Sequence, residues 1–423
     1  MSFRGRAQHD HEQLGSVTFP TSCDPRVQAD FERGVAMLHS YWFNYAGKTF
    51  RSVLERDPGC AIAQVYYALT LQVSAPKGDL TYANQLKSAE ILEKLYEKNR
   101  QHPGITHYLI HAYDFAPFAE KGVAAARRYA AIAPAVPHAR HMPAHIYSMT
   151  GMWEDSIASN AAALEIQPDY YHAADFLVYA QLQLAQDRKA QAMIEKALKA
   201  SRRGDRPANV ADDTARAAMP ARYVLERADW TAGAAVPITT SEYPQADALT
   251  RFARGLGKAR TGDLAGARQE TAALEALRAA LEHSGDRYWA DRTREQIVAV
   301  TAWVRLAERA SEEAAALMRQ AADGEDHSIK HVAMENRLYP LRELLGDLLL
   351  ESGDARTAVA EYQVALRQTP NRFRGLSGAA RAAEAIGDRE KASEYYRKLL
   401  DLAKTGDGLR PEVKRAQKYV AKR

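Results

Sequence analysis

A spacing of 34 residues recurs between chemically active side chains in the first half of this sequence, and it constrains the fold more than any other feature. Adding 34 to His107 gives His141, to His111 gives His145, to His138 gives His172, and to His141 gives Asp175. Self-similarity with a period of roughly 20–50 residues marks a repeat architecture, in which each unit buries its apolar face only by stacking on its neighbours. The length of 423 residues therefore sets no domain count, because such an array grows by adding units.

The units are plainest near the C-terminus. Between Leu341 and Asn371 the residues Gly346, Gly353-Asp354, Ala358, Tyr362, Ala365 and Pro370 punctuate a helical apolar pattern, and Ala380, Gly387-Asp388, Ala392 and Tyr396 repeat it. Small residues let two antiparallel helices approach closely, glycine makes the tight turn, and proline stops the second helix. The same reading covers Gln28–Pro58, with Gly34, Ala46 and Phe50, and Leu249–Leu274, with Gly255, Gly262-Asp263 and Ala267. Three more units run in unbroken register from Pro103, ending at Pro134, at Pro168 and near Arg202, and weaker pairs fall at 61–100, 209–235 and 289–322. Period-two alternation is nearly absent, so an all-α fold is expected.

These residues and spacings resemble the tetratricopeptide repeat. The resemblance implies a TPR-like α-solenoid, a superhelix of about eight antiparallel helix pairs. Residues 1–25 form a polar N-terminal arm in this reading, and 26–423 form a single superhelical domain, with the His/Asp-bearing repeats at 103–204 and regular repeats at 339–404. The stretches HYLIHAYD and APAVPHARHMPAHIYSMTGMWEDSI also resemble a group of bacterial tetratricopeptide-repeat proteins. Fold is implied by this likeness, and no reaction.

Within the histidine-bearing units, His107, His111 and Asp114 are spaced i, i+4 and i+7, which places them on one face of one helix. His138, His141 and His145 follow i, i+3 and i+7, and so do His172, Asp175 and Tyr179. Equivalent positions of neighbouring repeats lie side by side at helix spacings of about 8–10 Å, so imidazoles from adjacent units reach a common ion. The resemblance puts these positions on the inner helices and the concave face. Six of the thirteen histidines fall at stacked positions within 66 residues. Imidazole and carboxylate together are the usual ligands of divalent transition metals, and a set without thiolate favours a catalytic or redox ion over a structural zinc. The expected ligands are His107, His111, His138, His141, His145, His172 and Asp175, holding one or two ions. Iron or copper is preferred, and zinc or manganese is possible. Asp114, Asp175 and Tyr179 are the candidate acid–base groups.

Two readings of different class follow. One is a metal-dependent enzyme acting on a small organic substrate, an oxidoreductase before a hydrolase. The other is a scaffold that grips a peptide or protein partner in its groove without catalysis. Clamps of that kind use Lys, Arg and Asn, whereas this face carries His and Asp, which favours metal. Glu343, Asp347, Arg374, Arg381 and Glu384 are expected to line a solvated C-terminal groove. His9, His11, His39, His327 and His331 lie outside the stacked register and are expected to face solvent. Pro143 falls inside a helix of the register and has no amide proton, so that helix kinks or starts late.

Composition excludes several other functions. Lys and Arg exceed Asp and Glu by only four and are interleaved with them, so nucleic acid is not indicated. Two cysteines, Cys23 and Cys60, are too few for a disulfide framework and form no CxxC pair, which leaves any metal to nitrogen and oxygen. No run of about 18 apolar residues occurs, and the N-terminus lacks the apolar stretch of a signal peptide. Cytoplasmic localisation without membrane association is expected, with a removed leader left open. No GxxxxGK[ST], GxGxxG after a strand, HExxH or GxSxG is present, so nucleotide cofactors and serine-hydrolase chemistry are unsupported.

Overall fold

The computed structural model describes residues 14–15, 17–75, 78–199, 209–238, 240–328 and 337–422. Most of the polar arm, His9, His11, His331 and the end of the unit near Arg202 lie outside the described residues.

Among the described residues the chain is all helical, without a strand, and forms antiparallel pairs in sequence order. Gln28–His39 pairs with Phe43–Arg56, Ala61–Val73 with Ala83–Lys98, and Pro103–Tyr113 with Ala119–Ile132. Pro137–His141 and Pro143–Thr150 together pair with Trp153–Ile166, and Tyr171–Gln183 pairs with Asp187–Lys199. Val210–Glu226 is followed by the short Trp230–Ala234, Pro244–Thr261 by Leu264–His283, and Arg287–Ala307 by Ser311–Asp326. Leu341–Glu351 pairs with Ala355–Gln368, Phe373–Ala385 with Arg389–Leu402, and Pro411–Ala421 caps the array. That is ten pairs where the sequence suggests about eight. The total of about eight undercounts the weak pairs read at 61–100, 209–235 and 289–322, one of which has a second helix of only five residues.

The Gly-Asp dipeptides do two jobs at once. Gly262, Gly353 and Gly387 take positive φ past the end of one helix, and Asp263, Asp354 and Asp388 cap the next by accepting from the amides of Gly266, Thr357 and Lys391 at 2.9, 3.1 and 3.1 Å. Close approach explains Gly346: a Cβ there would lie 2.8 Å from the Tyr362 ring.

The solenoid closes on itself. Trp153 Nε1 donates to the Asn371 carbonyl at 2.7 Å, the Phe373 amide donates to Gln183 Oε1 at 2.9 Å, and the Arg188 amide donates to Asp407 at 2.6 Å. Gly151, with φ +71°, sits so close to the Pro370 carbonyl that any Cβ would collide with it. At the centre, Arg372 pairs with Glu226 and Glu343 at 2.7 Å each, all three being almost wholly buried. Asp187 is bonded to Arg410 at 2.7 Å in the same seam.

This closure corrects the expected solvated C-terminal groove. Glu343 and Arg374 are buried, and Asp347 is covered while bound by Tyr339, Tyr362 and Arg374. Only Arg381 and Glu384 of that set remain half-exposed. Of the charges that appear to line a groove in sequence, Glu343 joins the seam through Arg372, and Asp347 and Arg374 tie the C-terminal units to one another.

Candidate metal centre

Three inner helices carry the six histidines. Pro103 occupies the first turn of Pro103–Tyr113, and the His102 ring accepts from the Ile105 amide at 3.3 Å, which fixes where that helix begins and which face His107 and His111 share. Asp114 caps its other end. The second helix is split. Pro143 cannot donate to residue 139, so the turn breaks at Met142, with His141 on the Pro137–His141 piece and His145 on the Pro143–Thr150 piece. Both expected outcomes hold at Pro143: the helix is interrupted, and the proline opens the second piece. Tyr171–Gln183 is buried along its whole length and presents His172.

The side chains meet as two triads, in which one ligand atom from each residue lies within 4.8 Å of the others: His107, His111 and His138, and His141, His145 and His172. In the first, His107 Nε2 lies 3.0 Å from both His111 Nε2 and His138 Nε2. In the second, His141 Nε2 and His145 Nε2 are 3.1 Å apart. The His141 and His172 ring centroids are 4.7 Å apart. The triads adjoin, with ring centroids of His111 and His145 at 6.3 Å and of His138 and His141 at 6.4 Å. Tyr129 stacks on His107 at 5.4 Å, and Phe176 packs against the second triad at 4.8–5.1 Å. The second triad is buried, whereas the first reaches the surface at His138.

Hydrogen bonds decide where the protons sit. Asn160 donates its amide nitrogen to the Ser156 carbonyl at 2.8 Å, so its oxygen faces His141 and accepts from Nδ1 at 2.7 Å. His145 Nδ1 donates to the Asp114 carboxylate at 2.8 Å. These two bonds turn the Nε2 atoms of His141 and His145 toward each other. In the first triad His138 Nδ1 contacts the Tyr170 hydroxyl at 3.1 Å. Burial, with the neighbouring His138, pushes His107 down to about 3; burial also lowers His138 and takes His111 well below the usual imidazole range. These rings are neutral at physiological pH and have lone pairs to offer.

Asp175 and Tyr179 are not brought to the histidines. Asp175 is fully buried in a two-point ion pair with Arg222, at 3.0 and 3.3 Å. The Tyr179 hydroxyl is bonded to Arg372 at 2.5 Å, and burial pushes it up to about 12. Their separation from the site has a geometric reason. Contacts across neighbouring inner helices run at a spacing of 31, not 34: His107 to His138, Asp114 to His145, and His141 to His172. Adjacent helices are displaced by about one turn, so Asp175, the register equivalent of His141, faces the following unit. The expected two-by-two block of His107, His111, His141 and His145 is thus regrouped into the two triads. Sequence reasoning missed Asn160 and Tyr170, for which the spacing gives no signal.

His39 and His327 are exposed, as expected. A third grouping, Cys23, Asp57 and Cys60, has both sulfurs tied in a disulfide, and the sequence reading did not pair these cysteines.

The family model described as "Tetratricopeptide repeat" matches residues 375–405. The chain carries a tetratricopeptide repeat. It extends the same all-α repeat fold through the described residues. No curated protein matches. Among solved structures, "Structure of Naa15/Naa10 bound to HypK-THB" is similar at 12% identity and TM-score 0.32, over 93% of this chain and 66% of that one. "Human IFIT1 dimer with PPP-AAAA" is similar at 15% identity and TM-score 0.42, over 89% and 73%. Among the described residues no helix is long and apolar enough to cross a membrane.

Proposed function

We propose that this protein is a metalloprotein of the tetratricopeptide-repeat fold, with one divalent transition ion at each histidine triad. On this proposal it is a metal-dependent enzyme for a small organic substrate. The observation that carries the reading is the convergence of six imidazoles into two triads, in each of which one ligand atom per residue lies within 4.8 Å of the others. Ligand nitrogens about 2.1 Å from one ion stand roughly 3.0–3.4 Å apart, which the Nε2 separations match. Asp114 and Asn160 supply the orienting bonds that metal-bound imidazoles receive in metalloproteins.

A site of three imidazoles leaves coordination positions for water, dioxygen or substrate, and imidazole suits iron and copper. Oxidoreductase chemistry is therefore preferred, with metal-assisted hydrolysis next, and zinc and manganese are the other ions considered. Asp114, bonded to His145, acts in this reading by orienting that ligand. The alternative is a scaffold that binds a peptide or protein partner without catalysis. It gains support only if the folded protein takes up no metal.

The Cys23–Cys60 disulfide weighs against the cytoplasmic expectation, because such bonds persist mainly in oxidising compartments. An oxidising compartment is proposed instead.

The test is reconstitution of chelator-treated protein with Fe(II), Cu(II), Zn(II) and Mn(II) in turn, read by thermal unfolding. Binding to the folded state raises the melting temperature in proportion to the logarithm of ion concentration over Kd. A shift with at least one ion, lost in the His141→Ala plus His145→Ala variant, is expected. No shift with any of the four sinks the proposal.

A further inference from the structure

A cavity of about 380 Å3 lies inside the closed array, within the range of small-molecule sites, roughly 300–1,000 Å3. None of the six histidines lines it. Its apolar wall comprises Phe115, Met149, Leu249, Phe252, Tyr288 and Trp289, and Arg292, Glu295 and Gln296 stand on its polar side.

The polar side is incompletely satisfied. Arg292 donates to Glu295 Oε1 and to Ser328 Oγ, at 2.6 Å each. Arg337, also at the wall, is taken by Asp326 and Gln368 at 3.0 Å. Glu295 Oε2 and Gln296 Oε1 remain buried without a hydrogen-bond partner, on residues 5% and 9% exposed. Arg292 Nε is the one buried donor without a partner at this wall among the described residues. Buried acceptors in such a position call for a donor.

The wall holds three carboxyl groups, Glu295, Glu325 and Asp326, against two guanidiniums, and with Glu295 protonated at most two carboxylates face them, so net charge by itself selects neither sign. A cation meets two unpartnered acceptors and a set of aromatic rings, whose faces attract positive charge.

We propose that this cavity binds a small organic amine, whose protonated nitrogen donates to Glu295 Oε2 and Gln296 Oε1 while its apolar body packs against the rings. Burial, outweighing Arg292, pushes Glu295 up to about 8, so at neutral pH the carboxyl holds its proton until a cation arrives. Amine binding therefore releases a proton. This inference does not rest on the metal reading.

The test is calorimetric titration of the full chain with 2-phenylethylamine, alongside 3-phenylpropionate and 2-phenylethanol as the matched acid and alcohol. The amine is expected to bind at least about tenfold tighter than either, releasing about one proton at pH 7 as read across buffers of different ionisation enthalpy. Glu295→Gln, checked for an unchanged melting temperature at low pH, is expected to abolish both the preference and the proton release. Gln296→Leu, should Glu295→Gln fail to fold, is expected to abolish the preference alone. Absence of amine binding, equal binding of the acid or alcohol, or a preference that survives these variants would overturn the proposal. Metal content measured on the same samples tells failure here apart from failure at the histidines.

Discussion

Asp114 offers a graded test of how the deeper triad is held. Its carboxylate accepts from His145 Nδ1 at 2.8 Å and is only 3% exposed, so the bond is unscreened and holds the ring with Nε2 turned toward His141. Asp114→Leu removes the acceptor, freeing the ring to rotate and the proton to move to Nε2. Loss of such an orienting partner weakens metal binding about 10–100-fold, equivalent to about 1.4–2.7 kcal/mol. Asp114→Asn keeps an oxygen in place without the charge and is expected near the lower end of that range. Competition against a chromophoric chelator at pH 7.5 measures both, with circular dichroism confirming the fold. The loss is expected to be larger at the deeper triad, whose His145 ring Asp114 holds directly, than at the other, where Asp114 acts on His111 through its charge alone. Affinity of both triads unchanged within about twofold in the Leu variant would refute the reasoning, because the bond would then orient nothing that binds metal.

Three further outcomes are expected. Arg372→Met leaves Glu226 and Glu343 buried without their cation and lowers unfolding free energy by about 3–5 kcal/mol in urea titration; a loss under about 1 kcal/mol would mean the closure seam contributes little. Glu295 has its folded pKa raised to about 8 from 4.5, so its contribution to stability is fully present below pH 4.5 and is lost as pH rises through 8; the stability of Glu295→Gln relative to wild type should therefore rise by about 3 kcal/mol from pH 5 to pH 7.5, and a flat difference would contradict this. Cys23 and Cys60 close a loop with a sequence separation of 37, so Cys23→Ser should destabilise the N-terminal unit by about 3–4 kcal/mol under non-reducing conditions, visible as faster amide exchange across residues 28–56; unchanged exchange would show that the bond is not formed.

How much of this was legible in sequence depends on whether a feature is local. Gly353-Asp354 and Gly387-Asp388 each encode a turn and a cap within two residues, and the units they bound were readable. The six histidines were legible because helical spacing and the repeat register place them on stacked faces. Their grouping was not, since the one-turn displacement between neighbouring inner helices, which turns a spacing of 34 into contacts at 31, arises from packing of whole units. Asp175 shows the cost of that offset: it is equivalent to His141 in register yet lies against Arg222 from the next unit. The closure was hidden for a related reason. Asp187 and Arg410, or Trp153 and Asn371, are more than two hundred residues apart, and no periodicity predicts that the last units of a solenoid fold back on its middle ones. Charges at Glu343, Asp347 and Arg374 consequently read as a wet groove when the first belongs to the buried seam and the other two are buried among the C-terminal units. Cys23 and Cys60 pair across the first helical hairpin, where composition argued only against a framework of several bridges.

The central claim is that the two triads hold metal, and elemental mass spectrometry of the protein purified without a histidine tag tests it most directly. Metal at about two ions per chain, falling sharply in a folded His107→Ala plus His141→Ala variant, is the result the account predicts. A folded protein with no bound metal, even after incubation with iron, copper, zinc and manganese salts, would contradict it.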